Sequence, residues 1–215
     1  MSTNIADIRK EYTLKTLNEE NVEKNPIDQF GRWFREALDA SVNEPNAMHL
    51  GTLGRNNVPN GRIVLLKSCD AEGFTFFTNY HSEKGIELTA HPFASLTFFW
   101  AELERQVRVQ GTISLAGADE SDAYFRSRPR PSQIGAWVSD QSRPLRNRRE
   151  LEERQEELER EFEGKMIERP PYWGGFKVSP FRVEFWQGRP SRLHDRILYT
   201  LPEATREWEI SRLFP

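Results

Sequence analysis

The chain lacks most of the features that place a protein quickly. Its 215 residues include one cysteine, Cys69, which has no internal disulfide partner, and a reducing, cytoplasmic setting is expected. No apolar run approaches the roughly 20 residues that span a bilayer. The longest, Leu96 to Ala101, already contains Thr97, and no membrane partner is expected. Positive charge is not in excess: 30 Lys and Arg against 33 Asp and Glu give a net charge of −3, which argues against a nucleic-acid partner held by bulk charge. The four histidines, His49, His81, His91 and His194, have no ligand spacing among themselves or with Cys69, so no metal is expected. There is no GxGxxG after a strand, no GxxxxGK(S/T), no HExxH and no GxSxG. Rossmann dinucleotide binding, P-loop phosphoryl transfer, zinc proteolysis and elbow-type acyl transfer are all disfavoured.

Core-forming residues, in contrast, are plentiful: hydrophobic residues make up 37% of the chain, with six Trp and fourteen Phe, enough to fill a core at this length. Residues 1–25 are polar and read as a mobile arm, leaving 26–215 as one domain. Apolar positions from Ile27 to Val42 recur at helical spacing. After Pro45 the period shortens, and Ala47 to Leu53, Gly61 to Cys69, Phe74 to Thr78, Ala94 to Trp100 and Arg105 to Ile113 read as strands. A short helix, Ser82 to Ala90, interrupts them with Ser82 as its N-cap. Helices return around Tyr124, after Pro131 and over Arg146 to Glu163. Strands resume at Phe176 to Ser179, Phe181 to Gln187, Arg192 to Tyr199 and Trp208 to Ile210. The pattern is α+β, a small barrel of mostly antiparallel strands split in sequence by helices.

Cations on the expected strands carry the chemistry. A period of two sends Arg192, His194 and Arg196 to one face and Leu193 and Asp195 to the other. Just upstream, Arg182, Glu184 and Trp186 oppose Phe181, Val183 and Phe185, so a Trp that could wall a planar ligand stands beside cations. Arg62 and Lys67 bracket the apolar run Ile63, Val64, Leu65 and Leu66. Charge at both ends of a buried strand could grip phosphate, or emerge to water. Tyr124 and Arg128 are four apart on one helical face, with Ser132 where the next helix begins, a set suited to a phosphate monoester. Gln106, Arg108 and Gln110 alternate with Val107 and Val109, and could offer amides to a heterocycle or face solvent.

These stretches resemble one family. VEFWQGRPSRLHDR (Val183 to Arg196) is similar to the C-terminal signature of the pyridoxine (pyridoxamine) 5′-phosphate oxidases. GRIVLLK (Gly61 to Lys67), FFTN (Phe76 to Asn79), LERQVRVQG (Leu103 to Gly111), FRSRPRPSQIGAWVSDQS (Phe125 to Ser142) and YWGGF (Tyr172 to Phe176) are similar to it in the same order. The resemblance implies an FMN-binding split β-barrel working as a homodimer, with two flavin sites at the subunit interface. It implies oxidation of pyridoxine or pyridoxamine 5′-phosphate to pyridoxal 5′-phosphate, O2 leaving as H2O2. Position by position, it places Arg62, Ile63, Val64, Leu65, Leu66 and Lys67 along the cofactor, with Arg62 and Lys84 on its phosphate. Phe77, Thr78, Gln106, Gln141, Ser142, Trp186 and Arg196 are further flavin contacts. Lys67, Tyr124, Arg128 and Ser132 clamp the substrate phosphate. Arg192 and His194 are the catalytic pair over the substrate ring, with Leu193 between them. Arg9, Lys10, Glu11 and Tyr12 belong to an arm that can cover the site. One departure stands out: position 83 is Glu where the family usually has a second base for the FMN phosphate, which implies weaker FMN binding. A flavin enzyme for an unphosphorylated substrate would not need Lys67, Tyr124, Arg128 and Ser132 together. A non-catalytic carrier would give colour without peroxide.

Overall fold

The computed structural model describes residues 4–5 and 11–215. Arg9 and Lys10 lie outside the described residues. The helices are α1 (Pro26–Asp39), α2 (Glu83–Ala90), α3 (Ala118–Ser127), α4 (Arg130–Val138) and α5 (Arg148–Glu161). The strands are β1 (Ala47–Leu53), β2 (Pro59–Leu65), β3 (Ser68–Asp70), β4 (Gly73–Asn79), β5 (Phe93–Trp100), β6 (Arg105–Leu115), β7 (Trp173–Gln187), β8 (Asp195–Thr200) and β9 (Glu209–Arg212). They form one sheet in the order β2-β1-β5-β6-β7-β4-β3, with β8 added to β7 and β9 to β8. No helix among the described residues is long and apolar enough to cross a membrane.

Several expected boundaries shift for identifiable reasons. β7, expected as two runs, is one strand through Pro180. Its first part pairs antiparallel with β4 over Trp173 to Val178, and its second with β8 over Arg182 to Gln187. Pro180 falls between these two ladders, outside the paired residues of both. The strand expected from Gly61 to Cys69 breaks at Leu66 and Lys67 and restarts as β3. It is not the buried strand expected either: β2 ends the sheet order, and Ile63 is 65% exposed. The strand expected to start at Arg192 begins only at Asp195, because Pro190–Arg192 form a 3-10 turn with Ser191 (φ 56°) and Arg192 (φ 62°) both left-handed. α3 ends at Ser127, so Arg128 is not on its face; it takes extended backbone (φ −72°, ψ 146°), the conformation favoured before Pro129.

The chain gathers into two compact units, Met1–His49 with Ser95–Gln110 and Pro180–Pro215, and Leu50–Ala94 with Gly111–Ser179. In the first, α1 starts at an Asn25 cap whose side chain accepts from the Ile27 N–H, and it buries Phe30, Trp33 and Ala37. Phe30 meets Phe98 at 4.9 Å between ring centroids, and Trp33 meets Phe185 edge-on at 5.1 Å. Burying such a side chain contributes roughly 1.5–3 kcal/mol. Residues 11–25, polar enough to suggest an unpacked arm, are attached: Leu17 is buried, its N–H donates to Asp195, and Arg212 bridges to Glu19.

In the second unit, Phe125, Ile134, Ala136, Val138, Ile167 and Trp173 form the core beneath α3 and α4. Ser82 caps α2 as expected, accepting from the Gly85 N–H at 3.3 Å and donating to the Asn79 carbonyl at 2.6 Å. Ser82→Ala is expected to cost about 1 kcal/mol, seen as a lower urea midpoint at constant m value. An unmoved midpoint would show that the cap contributes nothing.

Candidate active-site groups

Two cation groups form in the second unit. The first centres on α2 and β2. Lys84 Nζ donates to Gln141 Oε1 at 2.9 Å, with Thr78 Oγ1 3.5 Å and Ser82 Oγ 3.4 Å away. Thr78 donates to the same Gln141 oxygen at 3.2 Å. Arg62 reaches Glu87 Oε2 at 2.9 Å and also Thr52 Oγ1. Burial, and next the like charge of Arg62, push the Lys84 ammonium below its ordinary pKa. Two like charges held near each other in this way favour an anion beside them. Glu87 is only 7% exposed. Burial alone would raise its carboxyl, but hydrogen bonds from Asn60 (2.8 Å), Thr52 (2.6 Å) and Arg62, with the Arg62 charge, outweigh burial and keep it ionised. Glu83 is exposed, and it shares with Glu87 and Ser142 the lining of a cavity of about 550 Å³. Val64 is half-buried and Leu66 buried.

The second group surrounds an aromatic stack. Tyr124 lies flat on Phe77 at 4.1 Å, and Trp173 lies parallel to Tyr124 at 6.1 Å. Lys67, whose N–H is fixed by the Thr75 carbonyl at 2.9 Å, brings Nζ to 6.0 Å from the Tyr124 ring. The Arg128 guanidinium sits 4.6 Å over Trp173. Its Nη1 is buried without a hydrogen-bond partner, and burial holds its pKa below the usual arginine range. An unpaired buried N–H of this kind costs free energy until an acceptor reaches it. Ser132, in the first turn of α4, is half-buried.

In the first unit, Trp186 and His194 pack at 4.6 Å between ring centroids, and Tyr12 meets them edge-on at 5.6 and 5.9 Å. The expected shared face of Arg192, His194 and Arg196 is not formed by strand alternation, since Arg192 and Leu193 are exposed in the turn and only Arg196 is in β8. Arg196 pairs across the ladder with Trp186, donates from Nε to Glu184 Oε1 at 2.8 Å and from Nη1 to the Phe214 carbonyl at 2.8 Å. The Glu184 hydrogen bond raises the Arg196 pKa. Gln106 is half-buried on β6, alternating with the fully buried Val107 as expected.

Two buried carboxylates to which the sequence assigns no role hold arginines in place. Glu87 (on α2) and Glu184 (4% exposed, between Arg108 and Arg196) orient the arginines, 25 and 12 residues away from Arg62 and Arg196 in the chain. The only local signal for Glu184 is an acid set among Val183, Phe185 and Trp186.

His194 Nδ1 accepts from the Arg189 N–H at 3.1 Å, so the neutral ring carries its proton on Nε2. Burial, then the Arg192 charge, push its pKa below 6.5, against an opposing pull from Asp195. Both the shift and the acceptor role of Nδ1 favour the neutral imidazole, and protonation would break the Arg189 hydrogen bond. Arg192→Ala is expected to move the His194 midpoint upward by NMR titration, because a repelling charge is removed. A midpoint that stays put or falls would rule out that coupling.

Comparison with known proteins gives a consistent result. Residues 34–160 match the family described as pyridoxamine 5′-phosphate oxidase, and 173–215 the pyridoxine 5′-phosphate oxidase C-terminal dimerisation region. Pyridoxine/pyridoxamine 5′-phosphate oxidase of Paraburkholderia phytofirmans is 52% identical over 99% of this chain and 100% of its own. The protein of the same name from Cyanothece sp. is 51% identical over the full length of both. Among solved structures, PhzG from Burkholderia lata 383, in complex with tetrahydrophenazine-1-carboxylic acid, is 29% identical with a TM-score of 0.87, covering 94% of this chain and 99% of that one. An FMN-binding, pyridoxamine 5′-phosphate oxidase-related protein from Nostoc punctiforme, 17% identical with a TM-score of 0.67 over 86% and 96%, shares the fold. This α+β chain, with the FMN-binding split-barrel fold, belongs to the pyridoxine/pyridoxamine 5′-phosphate oxidase family.

Proposed function

We propose that the protein oxidises pyridoxine 5′-phosphate and pyridoxamine 5′-phosphate to pyridoxal 5′-phosphate, with FMN as cofactor and O2 as the acceptor that leaves as H2O2. It acts as a homodimer whose two sites lie where the copies meet, a reading supported by the match of residues 173–215 to a dimerisation region. The lone Cys69 is half-buried, and a thiol that burial raises to about 12 suits a reducing cytoplasm.

The observation that carries this reading is the second cation group. Arg128, with an unpartnered buried Nη1, stands with Lys67 beside the Tyr124 stack, and an acidic chain has no evident reason to keep such a group except to receive an anion. A separate set, Arg62 and Lys84 with Thr78, Gln141 and Ser142, has the charge and the hydroxyl and amide donors that fit FMN, with both cations on its phosphate. When bound, FMN supplies the two-electron acceptor.

The remaining work belongs to the chain. Lys67, Tyr124, Arg128 and Ser132 hold the ester phosphate and so fix where the vitamer ring lies, which supplies rate through orientation. Trp186 walls the ring. His194 offers an Nε2–H donor whose direction is set by Arg189, and Arg192 offers a guanidinium from an exposed turn. Arg196 stays protonated through Glu184, but that carboxylate offsets its charge, so it serves as an oriented donor more than as a bare cation.

The likeness to PhzG favours a second reading, a flavin oxidation of an unphosphorylated compound, and the phosphate clamp discriminates. The purified protein should be yellow and release aldehyde and peroxide with each phosphorylated vitamer in air; turnover of pyridoxamine alone at equal efficiency would sink the proposal. Arg128→Ala should raise KM for the esters roughly 10- to 100-fold, the value of about 1.5–3 kcal/mol for a hydrogen bond to a charged group, with FMN content intact. An unchanged KM would remove Arg128 from the clamp. Glu83→Arg should tighten FMN several-fold in a flavin titration, modestly because the side chain is exposed and screened. A weaker or equal dissociation constant would discard that idea.

A further inference from the structure

Glu104 sits in a left-handed conformation (φ 55°, ψ 40°) just before β6, yet it is only 2% exposed. A non-glycine residue held there, and buried, is over-determined by its surroundings. Its backbone carbonyl accepts from the Gly188 N–H at 2.7 Å and from Gln187 Nε2 at 3.2 Å, which ties it to the chain leaving β7. Its side chain points to a different segment: Oε2 accepts from the N–H groups of both Thr13 (2.8 Å) and Leu14 (3.1 Å).

These two bonds fix the residue that precedes them. Tyr12 lies directly on Gly188, where a Cβ would come within 2.6 Å of Tyr12 Cγ and 3.1 Å of Glu104 Cβ, so only glycine leaves room for the ring. From there the Tyr12 ring meets Trp186 and His194 edge-on. Further along, Lys15 pairs with Glu36, the Leu17 N–H with Asp195, and Glu19 with Arg212, so the segment from residue 15 onward has its own attachments.

We propose that Glu104 is a positioning residue for the substrate ring. Through the Thr13 and Leu14 amides it seats Tyr12 against His194 and Trp186, making the tyrosine a fixed wall of the place where the vitamer ring binds. The role rests on the oxidase reading, although the strap itself is independent of it.

The test uses the full-length holoenzyme. Glu104→Asn suits the left-handed backbone, because Asn is among the residues that tolerate it, but shortens the reach. Glu104→Gln keeps the length and one acceptor oxygen. Glu104→Asn is expected to raise KM for pyridoxamine 5′-phosphate at least tenfold, to change kcat less than threefold, and to leave FMN content and melting temperature as in wild type. Glu104→Gln should restore most of the KM. In a Tyr12→Ala background the same Asn substitution should leave KM nearly unchanged, since the wall it positions is gone. Hydrogen exchange should speed at the Thr13 and Leu14 amides but not at Leu17. An equal KM increase with and without Tyr12, a parallel loss of FMN or melting temperature, or no change in exchange would each overturn the proposal. Faster exchange at residues 13–14 in a protein that does not oxidise either ester would instead uphold the strap and sink the oxidase reading.

Discussion

A cation that is to receive a phosphate must be aimed before the phosphate arrives, and aiming it with a carboxylate also spends part of its charge. This protein divides its arginines by how that conflict is resolved. Arg62 is aimed by Glu87 and Arg196 by Glu184, each carboxylate almost wholly buried. Taking both charges of such a pair out of water offsets much of their attraction, so the pairs are better understood as fixing geometry than as sources of stability. Arg128 is aimed differently. It rests on the face of Trp173, which orients a guanidinium without neutralising it, and one of its donors is left over. Its charge is therefore the least diluted of the three.

The sheet supports this division. β7 carries Trp173 near its start and Glu184 and Trp186 near its end, and each stretch is pinned by its own ladder, to β4 and to β8. A strand paired along most of its 15 residues does not slip in register, since a shift by one would turn every side chain to the other face. Positions on β7 are accordingly firm enough to act as reference points for side chains that reach them from loops, such as Arg128 and His194.

What could be seen in the sequence was whatever depends on near neighbours. β1 falls where its β-prone run lies, and α2 begins after Ser82 because capping is a local hydrogen bond. Tyr124, Lys67 and Arg128 stand out by residue type, and the structure brings them to one aromatic stack, though Tyr124 and Arg128 do not meet on the shared helical face expected of that pair. The triplet Arg192, His194 and Arg196 failed as a strand pattern because two consecutive left-handed residues were invisible in PSRLH; neither Ser191 nor Arg192 announces a positive φ. The carboxylates Glu87, Glu104 and Glu184 were hidden for another reason. Each acts on a partner at least 12 residues away, and a lone acid in an apolar stretch looks the same whether it faces water or a buried guanidinium.

The net charge of −3 would repel a phosphorylated ligand if it acted as a whole. It does not, because beyond a screening length of about 8 Å at physiological salt exposed charges are largely silenced. Much of the charge is also self-cancelling: on α5, Arg148 and Arg149 pair with Glu152 and Glu153 one turn on, and Arg146, just before the helix, pairs with Glu150. Such a helix adds many charges to the composition and little field to its surroundings. What an approaching ester feels is then set by the few cations within a screening length, and among these the weight falls on groups held out of water, where screening is weakest. Arg128 and Lys84, both pushed toward lower pKa by burial, meet that condition. Burial is what makes each of them costly to keep charged, and for the same reason an anion placed beside either would offset more of that cost than one beside any exposed arginine of α5.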